Sequence, residues 1–188
     1  MTKQELRHLY KQKRNSLTDK QLALYNDLML LQFQQMELPY VSQVASYYPL
    51  ESYNEPDTFL LTRYLSFQNP QIQIAYPKVL DNGSMHMVIA TPDSEYAENE
   101  HGINELTEGE IMQPNTIELI IVPTLCCNYK GHRVGYGKGF YDKYLTQCNH
   151  TVITIGLCYF DPVATITDLQ QFDVPLTYCL TPDVVYEC

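Results

Sequence analysis

The 188-residue chain has no tryptophan, only eight glycines and no apolar run long enough to cross a bilayer, so no membrane-spanning segment is expected. None of its six cysteines, Cys126, Cys127, Cys148, Cys158, Cys179 and Cys188, falls in a C-x-x-C pair. That removes the usual spacing of a zinc site or redox dithiol and leaves an expectation of reduced thiols, most of them buried packing. Cys126 and Cys127 adjoin no basic residue that would lower a thiol pKa. The first residues lack the apolar stretch of a signal peptide, are short of serine for a transit peptide and include Glu5, so a cytoplasmic location is expected. No repeat or low-complexity linker interrupts the chain. With 45% apolar residues it can bury a core of its own, and one domain over residues 1–188 is expected.

Positive charge is also scarce: 12 basic residues stand against 22 acidic ones, a net charge of −10. Nucleic acid would be repelled overall. The basic residues are, however, gathered in two islands, Lys3, Arg7, Lys11, Lys13, Arg14 and Lys20 at the start and Lys130, Arg133, Lys138 and Lys143 further on. A small polyanion such as a nucleotide needs no more than one such patch.

Hydrophobic spacing predicts a basic helix over 3–14, with Lys3 and Arg7 four apart on one face. Thr18 and Gln21 form a capping box for a second helix, whose stripe of Leu22, Tyr25, Met29, Phe33 and Met36 is core packing and which ends at Pro39. Val41 to Tyr48 reads as a strand. Glu55-Pro56-Asp57-Thr58 reads as a helix start with proline in the first turn. Strands are predicted at Ile72 to Tyr76, closed by Pro77, and at Met85 to Ala90. The acidic segment 92–110 reads as loop. Ile117 to Val122 and Thr151 to Leu157 are near-continuous apolar strands of the kind buried on both faces of a parallel sheet, and Val184-Val185 is a last short one. Strands alternating with helices predict an α/β fold, a three-layered domain with a mainly parallel sheet flanked by helices. Ligands in such folds lie beyond the carboxyl ends of the strands, where the loop after Val122 begins.

That loop carries the densest chemistry. Residues 131–142, Gly-His-Arg-Val-Gly-Tyr-Gly-Lys-Gly-Phe-Tyr-Asp, combine alternating glycines with Arg133, Lys138 and Asp142. Gly135, Gly137 and Gly139 can adopt φ > 0 and leave successive N–H groups free to point at one anion, and the helix predicted from Phe140 faces the same spot. A carboxylate at about 4 Å from a phosphate would be repelled by roughly 4 kcal/mol at an effective dielectric near 20. Asp142 is therefore either a Mg²⁺ ligand beside a nucleotide or a charge that favours the helix N-terminus. The segment matches neither the P-loop pattern nor the dinucleotide fingerprint, since His132 and Gly139 stand where the P-loop needs Gly and Ser or Thr.

With these pieces in place the chain resembles the 5-formyltetrahydrofolate cyclo-ligases, also called methenyltetrahydrofolate synthetases. Lys3-x-x-x-Arg7, Tyr48-Pro49-Leu50 followed by Glu55-Pro56-Asp57-Thr58, Tyr76-Pro77-Lys78-Val79, and Phe172-Asp173-Val174-Pro175 are each similar to a family segment. The most specific piece is Ile120-Ile121-Val122-Pro123 leading into Gly131-x-Arg133-Val134-Gly135-Tyr136-Gly137-Lys138-Gly139-Phe140-Tyr141-Asp142. The resemblance implies ATP-dependent closure of 5-formyltetrahydrofolate to 5,10-methenyltetrahydrofolate through a phosphorylated formyl group. It implies that Lys3, Arg7 and the loop Arg133, Val134, Gly135, Tyr136, Gly137, Lys138, Gly139, Phe140 and Tyr141 hold ATP, with Arg133 and Lys138 as the catalytic cations. It further implies that Asp142 and Asp173 bind Mg²⁺, that Tyr48 and Glu55 contact the folate, and that the protein works on small molecules; a monomer is expected. The competing expectation is a nucleotide- or phospho-ligand-binding regulator that kept the fold and lost the chemistry. No charge of the metal and phosphate set is lost. A sugar-phosphate enzyme would need an internal base, for which Glu55 is the nearest candidate.

Overall fold

The structure, a computed structural model, describes residues 1–98 and 104–188. Helix α1 (Lys3–Asn15) opens on a capping box in which the Thr2 hydroxyl accepts from the Glu5 N–H and the Glu5 carboxylate accepts from the Thr2 N–H. Helix α2 (Asp19–Gln34) carries the expected Thr18–Gln21 box. Each box satisfies N–H groups that a helix start leaves bare. α2 stops well before Pro39: residues ahead of a proline are pushed out of the helical region, and a turn closed by the Leu38 N–H on the Met36 carbonyl takes over. Helix α3 (Thr58–Gln68) is capped by Asp57, whose carboxylate accepts from the Phe59 N–H, so Pro56 precedes the cap and does not sit in the first turn as expected.

The strands are β1 (Gln43–Ala45), β2 (Gln73–Val79), β3 (Met85–Ile89), β4 (Tyr96–Glu98), β5 (Asn104–Leu106), β6 (Ile111–Met112), β7 (Leu119–Val122), β8 (Cys126–Cys127), β9 (Arg133–Val134), β10 (Ile153–Leu157), β11 (Tyr178–Leu180) and β12 (Val185–Glu187), with helix α4 (Phe140–Leu145) between β9 and β10. Eight of them form one sheet in the order β12-β11-β10-β7-β1-β2-β3-β6. The run β11-β10-β7-β1-β2 is parallel; β12 at one edge and β3 at the other run against it, and β6 pairs antiparallel with β3. The expected α/β fold with a mainly parallel sheet is what forms.

Alternation along the central strands builds the layers. All four residues of β7 are fully buried, Leu119 and Ile121 packing with Met29, Phe33, Leu61 and Leu65 of α2 and α3 on one face. Ile120 and Val122 pack with Tyr144 and Leu145 of α4 on the other. A strand covered on both faces has no place for polar residues, which is why it reads as an unbroken apolar run.

Several boundaries differ from the predicted ones. Val41 to Tyr48 contains only the short β1. β2 runs through Pro77, which pairs with Met87 of β3. The Ala75 carbonyl accepts from the Ser46 N–H, so residue 77 faces the same side, beyond the end of β1, where no ladder bond is lost. The acidic segment holds the antiparallel pair β4 and β5 where a loop was expected; its residues 99–103 lie outside the described residues. The strands β6, β8, β9 and β11 escaped prediction because two or three residues carry no periodicity.

The expectation of reduced thiols also needs correction. Cys127 of β8 and Cys179 of β11, distant in sequence, are brought together and joined as a disulfide, with the Cys158 sulfur 4.0 Å from that of Cys127. Burial pushes the Cys126 thiol up to about 12, which removes it as a nucleophile.

The turn between β8 and β9 depends on Gly131, at φ +78, where an added Cβ would lie 2.4 Å from the Leu176 carbonyl oxygen. Gly131→Ala is expected to lower unfolding stability by at least about 2 kcal/mol in urea titration. An unchanged midpoint would show that the Leu176 segment can retreat without loss.

Candidate nucleotide and folate site

The glycine segment leaves β9 at the carboxyl end of the parallel strands and enters α4 through Gly139, its N-cap at φ 71. Helix α1 lies across it. The stripe Leu6, Tyr10 and Arg14 is the buried face of that helix, and its apolar members pack against Leu125, Cys126 and Val134. The helix thereby points Arg7 at the loop: Arg7 Nε donates to the Gly135 carbonyl at 2.9 Å. At Gly137, φ +92, an added Cβ would stand 3.1 Å from the Arg7 guanidinium carbon. Of the three alternating glycines only Gly137 and Gly139 use positive φ, whereas Gly135 does not.

The expected metal and phosphate residues meet as two ion pairs. Lys3 is bonded to Asp173. Arg133 Nη2 donates to Asp142 Oδ1 at 2.9 Å, and its Nη1 to the Val174 carbonyl at 2.7 Å. The Val174 N–H donates to the same Asp142 oxygen at 3.3 Å, which sets Asp142 and the Asp173-Val174 turn side by side. Burial alone would raise the Asp173 carboxyl, but the Gln170 N–H and the Lys3 ammonium outweigh it and hold that carboxyl below its ordinary range. Burial also pulls the Arg133 guanidinium below its usual value, opposed by Asp142 beside it. Lys138 is exposed at the loop tip and makes no ion pair among the described residues.

The side chains of three residues assigned to the nucleotide by resemblance are turned into the protein. Val134 is fully buried against α1, and Phe140 and Tyr141 turn toward the core beneath the sheet. The N–H groups of Phe140 and Tyr141, at the start of α4, are among those a helix leaves without partners.

Glu55 stands at the other end of the site. Only 8% of it is exposed; Oε2 accepts from the Leu50 N–H at 2.9 Å and Oε1 from the Tyr136 hydroxyl. Burial raises its pKa, against the lowering by Tyr136, Leu50 and Arg14. The side chain of Tyr136 thus reaches Glu55 while its backbone belongs to the glycine loop. Tyr48 is separate: its ring stacks on Tyr76 at 4.2 Å, with Phe59 and Tyr96 around it. Phe59, Tyr76 and Tyr96, with Arg63 at the rim, also line a neighbouring cavity of about 400 Å³. The hydroxyls of Tyr47 and Tyr141 are buried without a partner among the described residues.

Sequence reasoning gave no role to Arg14, Tyr76 or Tyr96. For Arg14 a signal existed: positions 6, 10 and 14 recur at helical spacing, which puts an arginine on the apolar stripe.

Together these features define an α/β protein whose glycine loop, crossed by a basic helix, is suited to a nucleotide, beside a carboxylate and an aromatic cluster suited to a second, ring-bearing molecule. The profile of the 5-formyltetrahydrofolate cyclo-ligase family matches residues 1–182, and the chain belongs to that family. It is 27% identical over 143 residues to a 5-formyltetrahydrofolate cyclo-ligase of Mycoplasma genitalium, covering 75% of this chain and 74% of that one. To the enzyme of the same name from Haemophilus influenzae it is 29% identical over 139 residues, 71% and 72% of the two chains. Among solved structures, a 5,10-methenyltetrahydrofolate synthetase of Aquifex aeolicus superposes with a TM-score of 0.81 at 25% identity, covering all of this chain and 93% of the other. One from Mycoplasma pneumoniae gives 0.74 at 25% identity, with 96% and 98% covered.

Gly137→Ala combines an unfavourable φ with a clash on Arg7, whereas at Gly135 an added Cβ meets nothing nearer than the Pro123 carbonyl at 3.7 Å. The first substitution is expected to weaken ATP binding at least about tenfold by calorimetry and the second by no more than about twofold. Equal effects would mean that the Arg7 contact does not govern the loop.

Proposed function

We propose that this protein closes 5-formyltetrahydrofolate to 5,10-methenyltetrahydrofolate at the expense of ATP. Beyond family membership, the observation that carries the reading is that one helix sets Arg7 on the glycine loop and Lys3 on the Asp173 turn beside Asp142, with Glu55 joined to the loop through Tyr136. The formyl oxygen attacks the γ-phosphorus and ADP leaves. N10 of the folate then attacks the activated formyl carbon, inorganic phosphate departs with the former formyl oxygen, and N10 gives up its proton. Phosphoryl transfer requires positioning and neutralised charge more than covalent chemistry. In this reading loop N–H groups, Arg7 and Lys138 hold the triphosphate, Glu55 orients the folate, and the aromatic cluster at Tyr48 receives its rings.

The carboxylates suit Mg²⁺. Asp142 Oδ2 takes no hydrogen bond among the described residues and is free to bind a cation, while Asp173 becomes available as Lys3 turns to phosphate. When bound, Mg²⁺ supplies neutralisation of phosphate charge. Arg133, buried and fixed by the Val174 carbonyl, holds Asp142 in place for that role. The reading is of a monomeric, cytoplasmic, single-domain enzyme for small molecules. The net charge of −10 disfavours nucleic acid, and among the described residues no helix is long and apolar enough to cross a membrane.

The test mixes protein, 5-formyltetrahydrofolate, ATP and Mg²⁺ and follows methenyltetrahydrofolate absorbance, with each component omitted in turn. Product in the complete mixture alone is expected. ATP binding without turnover would favour a regulator on the same fold. Asp142→Asn is expected to reduce kcat at least about a hundredfold with the fold intact, and wild-type turnover at limiting Mg²⁺ would exclude the metal role.

A further inference from the structure

Arg14 is 2% exposed, the largest fully buried side chain among the described residues, and none of their carboxylates pairs with it. Its Nη1 donates to the Tyr136 hydroxyl at 3.0 Å and its Nη2 to the Thr124 carbonyl at 2.7 Å. Its own carbonyl accepts from Asn54 Nδ2 at 3.2 Å, next to Glu55 in sequence. A buried guanidinium is costly unless it is paired, and packing alone would be served as well by an aliphatic chain of similar volume. The Glu55 carboxyl lies one hydroxyl away, on the far side of Tyr136.

The donor inventory makes this chain directional. A guanidinium has only donors, so the phenol oxygen of Tyr136 must accept from Arg14, and its single proton is left to point at Glu55 Oε1. With Oε2 held by the Leu50 N–H, both carboxylate oxygens are fixed before any ligand arrives. Anchored on the Thr124 carbonyl just past β7, Arg14 also ties this orientation to the central strand. An unanchored Tyr136, on a loop with two glycines at positive φ, could rotate away.

We propose that Arg14 is a positioning residue for the folate half of the reaction, acting through Tyr136 to keep Glu55 aimed at the substrate. This rests on the function proposed above. Arg14 touches neither reactant: it makes the glycine-loop tyrosine part of the folate site.

Steady-state kinetics of Arg14→Met, Tyr136→Phe and the double variant test this. Each single change is expected to raise KM for 5-formyltetrahydrofolate about tenfold while KM for ATP stays within about twofold, and the double variant is expected to be no worse than either. Arg14→Lys, which keeps the charge, is expected to recover part of the loss, and it carries the same test where Arg14→Met does not fold. A merely structural Arg14 would give additive losses, a parallel rise in KM for ATP, or activity that falls only in step with the urea midpoint; any of these overturns the proposal. Calorimetry of 5-formyltetrahydrofolate with the unaltered protein separates the two readings. Neither binding nor turnover removes the folate site and this proposal with it. Binding and turnover with additive variants remove this proposal alone.

Discussion

The seating of α1 across the glycine loop is the constraint on which the site depends. Arg7 occupies the space that a side chain at position 137 would fill, and the loop can approach it only because that position has none. What holds the helix there is its buried stripe, Leu6, Tyr10 and Arg14, set into the surface of β8 and β9. With a rise of about 1.5 Å per residue, Lys3 and Arg14 lie about 16 Å apart along one rigid rod. One end of the rod meets Asp173 and the other the Tyr136–Glu55 pair. A single helix therefore sets the spacing between the Lys3–Asp173 pair and the Glu55 carboxylate.

The cations that look equivalent in sequence are not equivalent in space. Arg133 is buried and bonded on both nitrogens, to Asp142 and to a backbone carbonyl, so its charge fixes a carboxylate. Lys3 is paired with Asp173 but partly open to solvent, where an exchange of partners costs little desolvation. Lys138 projects from the tip into water. On a protein of net charge −10, distant acids do little to these cations, since charges beyond about 8 Å are largely screened at physiological salt.

The sheet was legible wherever burial on both faces wrote a continuous apolar run, as in β7 and β10, and the helices wherever capping chemistry was explicit, as at Thr18. Legibility failed for strands of two or three residues and at Pro77, where whether a missing N–H matters depends on a neighbour whose length the local sequence does not encode. The site was legible in its residue types, and Lys3, Arg7, Arg133, Asp142 and Asp173 do converge. The pairing among them was not, because it arises between segments as far apart as α1 and the Asp173 turn. The disulfide was hidden for the same reason: Cys127 and Cys179 become neighbours only through the topology of the sheet.

Tyr136 unites the two halves of the site more tightly than proximity would. Its backbone lies between the glycine whose carbonyl accepts from Arg7 and the glycine against which Arg7 packs, and its hydroxyl is bonded to Glu55. A loop displaced by a bound triphosphate moves the root of the side chain that orients the carboxylate. Arg14 limits that motion, since it grips the hydroxyl from a point fixed to the central strand. The glycines allow the backbone to adapt while the buried arginine keeps the far end still. On the function proposed above, a site that must align two reactants for one transfer needs such a division, with freedom at the glycine loop and none at the carboxylate.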